Sequence, residues 1–407
     1  MIVEKKPKIF SGYIVVVAAF LIMVIIHGIF CTFGVFFTPM LTEFGWSRAM
    51  LSGANSVGFI TMGLLAIIMG SLSDKLGPRV VMAASGILFG AGNLMLAQTN
   101  AIWQLYLFWV VIGIGLGASD VVPLATIARW FIKRRGTMSG IAKVGTGLGM
   151  MAVPLIAGSL IAHFGWRDSY TILGILVLVS IIPLSLLLKR DPYQAGQLPD
   201  GRRMLANEIT DIREEGLSLG KALTTRQLWI VFGMYFAAQF CVQTMLVHSV
   251  PYAVDLGASL TKASGVIATI GGFSMLGRLV MGFASDRIGN KRAMILCFIT
   301  LAIALSWLQF AEEMWMLYLF AAVHGFSHGG FFALLSPTVA VLFGTRSQGV
   351  LLGIVIFGGT CGGALGPYLT GAIFDTNGSY GLAFLLLLIV SIIGLILALS
   401  IKPIRLR

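Results

Sequence analysis

Residues 70–79 read GSLSDKLGPR, and residues 282–291 read GFASDRIGNK. Gly70, Ser73, Asp74 and Gly77 return 212 positions later as Gly282, Ser285, Asp286 and Gly289. The repetition continues outward. WFIKRRGTMSG (130–140) is echoed by LFGTRSQGVLLG (342–353), and Pro154 and Gly158 return 213 positions later as Pro367 and Gly371. The chain is therefore built from one unit used twice.

The surrounding residues say what that unit is. The 407 residues are 57% hydrophobic and 11% charged, whereas soluble domains carry about 25% charged residues. Apolar runs of about 18 residues or more recur along the whole length, enough to cross ~30 Å of hydrocarbon as helix. Backbone cannot lie unpaired in lipid, so the spans are helices. Twelve are expected, at about 12–37, 48–70, 79–98, 102–131, 137–163, 168–188, 226–255, 262–284, 292–310, 313–343, 349–374 and 380–401. The first is too long for a signal-peptide core and is read as a retained span. The expected fold is an all-α membrane protein with two six-helix halves, 1–189 and 226–407. Between them the polar segment 190–225 is a linker, with a short surface helix expected over 208–223.

Charge gives the orientation. Of the 28 Lys and Arg, Arg48, Arg167 and Lys262 fall on one side, and Arg129, Lys143 and Arg278 fall within or at the end of spans. The rest lie on the side that carries both termini, which by the positive-inside rule is cytoplasmic. A multi-pass inner (plasma) membrane protein is expected, bathed in lipid. The net charge of +12 is explained by orientation, so no nucleic-acid partner is invoked, and no obligatory protein partner is expected. The four cysteines, Cys31, Cys241, Cys297 and Cys361, lie in apolar runs without CxxC spacing and read as free thiols. No catalytic Ser–His–Asp set, cofactor motif or metal set is present, so an enzyme is not expected. His324 and His328 share a helix face at i, i+4, but nothing completes a zinc site. The glycine-rich run 358–371 reads as close helix packing. Pro123, Pro154, Pro251, Pro337 and Pro367 read as kinks.

A doubled six-helix unit is the pattern of transporters that rock two halves about a midplane site. The repeated G-x-x-x-D-x-x-G loop resembles the major facilitator superfamily along the whole chain. FGVFFTPMLTEFGWSRAMLSGANSVG (33–58), RWFIKRRGTMSGIAKVGTGLG (129–149) and the arginine of GRLVMG resemble the monocarboxylate transporters and their bacterial relatives. The resemblance implies proton-coupled symport of a monocarboxylate such as L-lactate or pyruvate by alternating access. The alternatives are an anion exchanger of the oxalate/formate or dicarboxylate type, and a transporter-like sensor without net flux.

Charges inside hydrocarbon are the main functional signal. Arg278 lies eight residues before Asp286, about 12 Å from the mouth of its span, and its repeat counterpart is Ala66. A planar guanidinium suits a carboxylate. It either captures substrate or forms an ion pair inside the bundle. Asp120 and Lys143 reach similar depth from neighbouring spans joined by a tight turn, so they are expected to meet. The expected role of Asp120 is to carry the proton, poised by Lys143, with a permanent salt bridge as the alternative. Lys143 is also a candidate second cation for substrate.

Two departures from the family accompany these charges. Family members often place an aspartate where Ser274 stands, and animal members a lysine where Cys31 stands. Ser274 and Cys31 are carried as substrate-site candidates, with His328 and, for the apolar part, Phe33, Phe331, Phe332 and Phe357. His248 sits in a stretch similar to the HxVPYAxDxG of bacterial relatives and is a candidate for an outer gate or proton entry. Asp74, Arg79, Asp286 and Arg287 are expected to form conformational latches, the aspartates binding basic residues or helix N-termini.

Overall fold

The computed structural model describes residues 10–46, 48–201, 216–258 and 260–402. The first repeat contains α1 (Ser11–Phe30), α2 (Phe33–Phe44), α3 (Arg48–Leu76), α4 (Pro78–Ala97), α5 (Ile102–Leu116), α6 (Val121–Trp130) and α7 (Arg135–Leu186). After the short α8 (Leu219–Leu223), the second contains α9 (Arg226–Asp255), α10 (Leu260–Ile288), α11 (Asn290–Leu308), α12 (Met314–Phe343), α13 (Gln348–Asn377) and α14 (Gly381–Leu399). Among the described residues, 11 helical stretches are long and apolar enough to cross a membrane. One of them, α7, has 52 residues, about 78 Å at 1.5 Å per residue and so more than two membrane thicknesses. Gly165, at φ 79 and ψ 168, folds it back on itself. The stretch therefore makes two passes, and the total is the twelve expected.

Two spans are broken where continuous helices were expected. The first stops at Phe30 and resumes at Phe33. There Thr32 Oγ1 donates to the Ile29 carbonyl at 2.7 Å, a local side-chain bond that competes with the helix ladder. The fourth stops at Leu116 and resumes at Val121 with Asp120 as N-cap. Pro123 has no N–H for the Ser119 carbonyl, and as a first-turn residue it starts α6 afresh. The expected surface helix is only partly accounted for. Leu219–Leu223 is helical, and 202–215 lie outside the described residues.

The two D-x-x-G aspartates reach across the repeats. Asp286 accepts hydrogen bonds from Gly136 N (2.7 Å) and Thr137 N (2.8 Å), in the first turn of α7. Asp74 accepts from Gly349 N and Val350 N (both 3.0 Å), in the first turn of α13. These N–H groups have no partner within their own helices, and a carboxylate at a helix N-terminus also meets the positive end of the dipole. The two latches are related by the offset of the sequence repeat. They are not identical, because Arg129 Nη2 also donates to Asp74 at 2.6 Å. The arginines expected beside the aspartates lie elsewhere. Arg79 and Arg287 are exposed, and Arg287 stacks on Phe283 at 4.3 Å.

Glycines allow the same helices to cross closely. A Cβ on Gly140 would lie 2.5 Å from the Arg278 carbonyl oxygen, and one on Gly282 would lie 2.7 Å from that of Gly136. Further along α10, Gly271 and Gly272 have no atom within 4 Å of such a position. Helices α7 and α10 thus touch from the latches as far as Gly147 and Met275, and α10 has open space at Gly271 and Gly272. The linker lies on the closed side: Asp200 accepts from Lys133 N at 2.9 Å, and Leu217 N donates to the Phe343 carbonyl at 2.8 Å.

On the opposite side Glu43, beyond the end of the first span, ties α2 to the bend of α7. Trp166 Nε1 donates to Glu43 Oε2 at 2.6 Å, and Arg167 pairs with Oε1. The Trp166 hydrogen bond, supported by Arg167, holds the Glu43 carboxyl below the usual carboxylate range. Its stabilisation is fully present above that range and is lost as pH falls through the lowered folded value. Glu43→Gln is expected to lower the melting temperature at neutral pH and to flatten its fall on acidification. Melting curves in a pH series check this, and a parallel fall in both proteins refutes it. For the latches, Asp286→Ala is expected to speed amide exchange at Gly136 and Thr137 while leaving Gly349 and Val350 protected. Exchange unchanged at 136–137 refutes the cap.

Candidate functional site

The membrane-embedded charges converge on one aromatic ring. Lys143, 2% exposed on α7, donates from Nζ to Asp120 Oδ1 at 2.5 Å. The same ammonium lies 4.8 Å from the centroid of Phe332 on α12. Arg278, 3% exposed on α10, has its guanidinium 5.5 Å from that centroid. Cations over an aromatic face gain roughly 0.5–2 kcal/mol, more when dry. The His328 ring stands 5.1 Å from Phe332, and Tyr235 meets it edge-on at 6.4 Å. Phe332 is thus the ring that both cations contact.

The two cations are not equivalent. Lys143 is neutralised by Asp120. Arg278 forms no ion pair among the described residues: its Nη1 donates to the Lys143 backbone carbonyl at 2.9 Å, and its Nε is buried without a partner. Ser274 Oγ, one turn along α10, and His328 Nδ1 are likewise buried and unpartnered. Buried polar atoms are nearly always hydrogen-bonded, to protein or to something held between. Three orphans around one guanidinium leave hydrogen-bonding capacity for a polar ligand or water.

One member of the cluster was not among the predicted site residues. His27 Nε2 lies 3.4 Å from Asp120 Oδ1, the oxygen that Lys143 also contacts. The available signal was its place one helical turn before Cys31, on the same face. Cys31 itself is half-buried at the α1–α2 break.

Other expected residues lie apart from the ring. Phe331, expected to line the pocket, is 1% exposed and packs on Phe298 of α11 at 4.7 Å. Successive helical residues point about 100° apart, so the neighbour of Phe332 faces the core of its own repeat. Phe33 belongs to a cluster with Phe37 (5.6 Å) and Trp109 (5.0 Å), and Phe357 is half-buried on α13. His248 is held by the Pro367 carbonyl at Nε2 (3.0 Å) and by the Tyr380 hydroxyl at Nδ1 (3.2 Å). A carbonyl only accepts, so Nε2 carries the hydrogen; in the neutral ring Nδ1 accepts from Tyr380. His324 stacks on Phe320 at 5.1 Å with neither nitrogen bonded. Among the described residues no three His, Cys, Asp or Glu side chains gather as a metal site.

A twice-used six-helix unit with charged groups buried at mid-depth defines a membrane transporter, not an enzyme. The sequence profile described as Major Facilitator Superfamily matches residues 16–280 and 249–406, and the chain belongs to that family. It is 27% identical to the oxalate:formate antiporter of Oxalobacter formigenes, over 95% of this chain and 90% of that one. It is also 27% identical to monocarboxylate transporter 13 of Bos taurus, over 92% and 85%. Among solved structures, the human organic anion transporter MFSD10 superposes with a TM-score of 0.73 at 17% identity, over 95% of this chain and 99% of that one. The proton:xylose symporter XylE superposes with a TM-score of 0.75 at 14% identity, over 97% and 96%. These two share the fold.

Removing one partner of a fully buried ion pair costs about 3–5 kcal/mol, because the other charge is stranded. Asp120 is 24% exposed, which places this pair toward the lower end. Lys143→Met is therefore expected to lower thermal stability more than the double change Asp120→Asn/Lys143→Met. Melting temperatures of the two purified variants decide it, and a double variant no more stable than the single one refutes the pairing energetics.

Proposed function

We propose that this chain is a secondary active transporter of small organic anions, carrying a monocarboxylate such as L-lactate or pyruvate together with a proton. The observation that carries the reading is the unpaired, buried guanidinium of Arg278. A carboxylate would complete its fork with two charge-assisted hydrogen bonds, using capacity that protein atoms leave open. The Asp120–Lys143 pair supplies the charged group to which the proton site is coupled. Ser274, His328 and Phe332 border the anion. In this reading segments 1–189 and 226–407 are the moving bodies and 190–225 is their tether.

The excess of Lys and Arg on the linker side supports cytoplasmic termini in the inner membrane. The latched side then faces the cytoplasm, and the open space at Gly271 and Gly272 lies toward the outer side. The Asp74 and Asp286 latches must open for substrate to leave inward.

A second reading is exchange of oxalate, formate or another dicarboxylate. It is favoured by the two fixed cations on one ring and by the 27% identical relative named as an oxalate:formate antiporter. The readings separate in proteoliposomes. Symport accumulates labelled lactate under an imposed pH gradient with no internal anion. Exchange requires internal counter-anion and is indifferent to the gradient. Ligand binding adds RT ln(1 + [L]/Kd), about 2.7 kcal/mol at a hundredfold excess over Kd, so the true anion class raises the melting temperature. Arg278→Ala is expected to abolish that rise. Persistence of the full shift in the variant overturns the assignment of Arg278.

A further inference from the structure

Three side chains compete for the proton in this site, and their surroundings are unequal. Asp120 Oδ1 already holds the Lys143 ammonium at 2.5 Å. A proton on Asp120 would discharge that partner and strand an ammonium that is 2% exposed, which is costly in a low-dielectric interior. Lys143 itself is sealed from water. His27 differs on both counts. Its side chain is 16% exposed, and its Nε2 stands 3.4 Å from the same carboxylate oxygen. That separation exceeds the 2.7–3.2 Å of an ordinary N–H···O bond. Its Nδ1 is buried without a partner.

We infer that His27 is the proton-binding side chain of the central site and that Asp120 is its fixed counter-ion. This deepens the proton-coupled reading above and rests on it. Protonation of His27 leaves Lys143 its carboxylate partner. It places an imidazolium beside a carboxylate that can accept a second cation, and the 3.4 Å gap leaves room for the bond to tighten. Both flanking segments can give, because α1 ends one turn beyond His27 and α5 breaks immediately before Asp120. The charged and titratable groups around His27 are Asp120 from that break, Lys143 from α7, and Cys31 one turn along α1. Across Phe332 stand Arg278 and His328.

The charge balance follows. With His27 neutral, Lys143, Arg278 and Asp120 sum to one positive charge, which a monoanion cancels. With His27 protonated the sum rises by one, so each anion can travel with one proton and the loaded site keeps the charge of the empty one. His27 thereby links the number of protons to the number of anions.

The test uses the full chain in proteoliposomes with labelled L-lactate as probe and a trapped pH dye. A gradient of about one pH unit supports about tenfold accumulation when one proton accompanies each anion. His27→Gln is expected to lose that accumulation and the dye signal while retaining lactate counterflow at zero gradient. His27→Gln accumulating as the wild type does overturns the inference alone. Wild-type protein that ignores the gradient overturns the proton-coupled reading instead. Infrared difference spectra of wild-type protein with and without lactate keep the question decidable should the variant fail to fold. Imidazole bands that move on 15N-histidine labelling and persist when His163, His248, His324 and His328 are all replaced by Asn support His27, and bands absent from that background overturn the assignment. A carboxylic acid C=O band that vanishes in Asp120→Asn places the proton on Asp120 and overturns the assignment.

Discussion

The contact between Lys143 and Asp120 is the interaction on which the centre of this protein depends. Two basic side chains lie against one phenyl ring in a region where an unpaired charge is expensive. One negative charge makes that tolerable. A continuous fourth helix would carry Asp120 as an ordinary mid-helix residue. The break at 117–120 instead places it at the N-terminus of α6, where the helix dipole also favours a negative charge. The irregular backbone sits inside the bundle beside the charged site, where surrounding protein lets a membrane protein tolerate it.

The same helices carry the site and the gate. On α7, Thr137 is latched by Asp286, Gly140 makes the close crossing, and Lys143 holds Asp120. On α10, Arg278, Gly282 and Asp286 follow one another at four-residue intervals on one face. The hydrogen bond from Arg278 to the Lys143 carbonyl joins the two repeats. It lies about two turns from the Asp286 latch. An anion that draws the guanidinium off that carbonyl would therefore loosen the contact between repeats beside the closed end. Site and latch need no long-range relay, because they are successive turns of one helix pair.

The fold was legible because its signals are local: apolar runs of known length, a loop that repeats at a fixed offset, and a one-sided distribution of basic residues. Depth along a helix was legible too, since it is a count of residues, and this brought Arg278, Lys143 and Asp120 to one level. Direction around a helix was not legible. Helix α12 is buried on nearly every side, so its sequence carries no face signal to separate Phe331 from Phe332. His27 was hidden for the same reason, because its partner depends on which side of α1 faces the start of α6. The α1–α2 break was not legible because Gly28 and Gly34 lie inside the flanking helices, where glycine also serves close packing, and no proline stands between them. The aspartate latches were expected, but their reach into the opposite repeat, and the part played by Arg129 in place of Arg79, are tertiary facts.

The duplication also shows which parts of the molecule are scaffold and which are chemistry. Asp74 and Asp286 correspond across the repeat, and so do the helix starts they cap. The central residues correspond in position but not in kind. The counterpart of Asp120 at offset 212 is Phe332, and both touch Lys143, one as carboxylate and the other as ring. Arg278 answers to Ala66, and Lys143 to Ile356 at offset 213. Both latches join the repeats at the same end of the molecule, one aspartate from each copy of the unit. A twofold-symmetric centre would present the same groups from both repeats, and this one does not. The two copies diverge at the centre while the capped ends stay alike, so one duplicated scaffold carries a site without twofold symmetry.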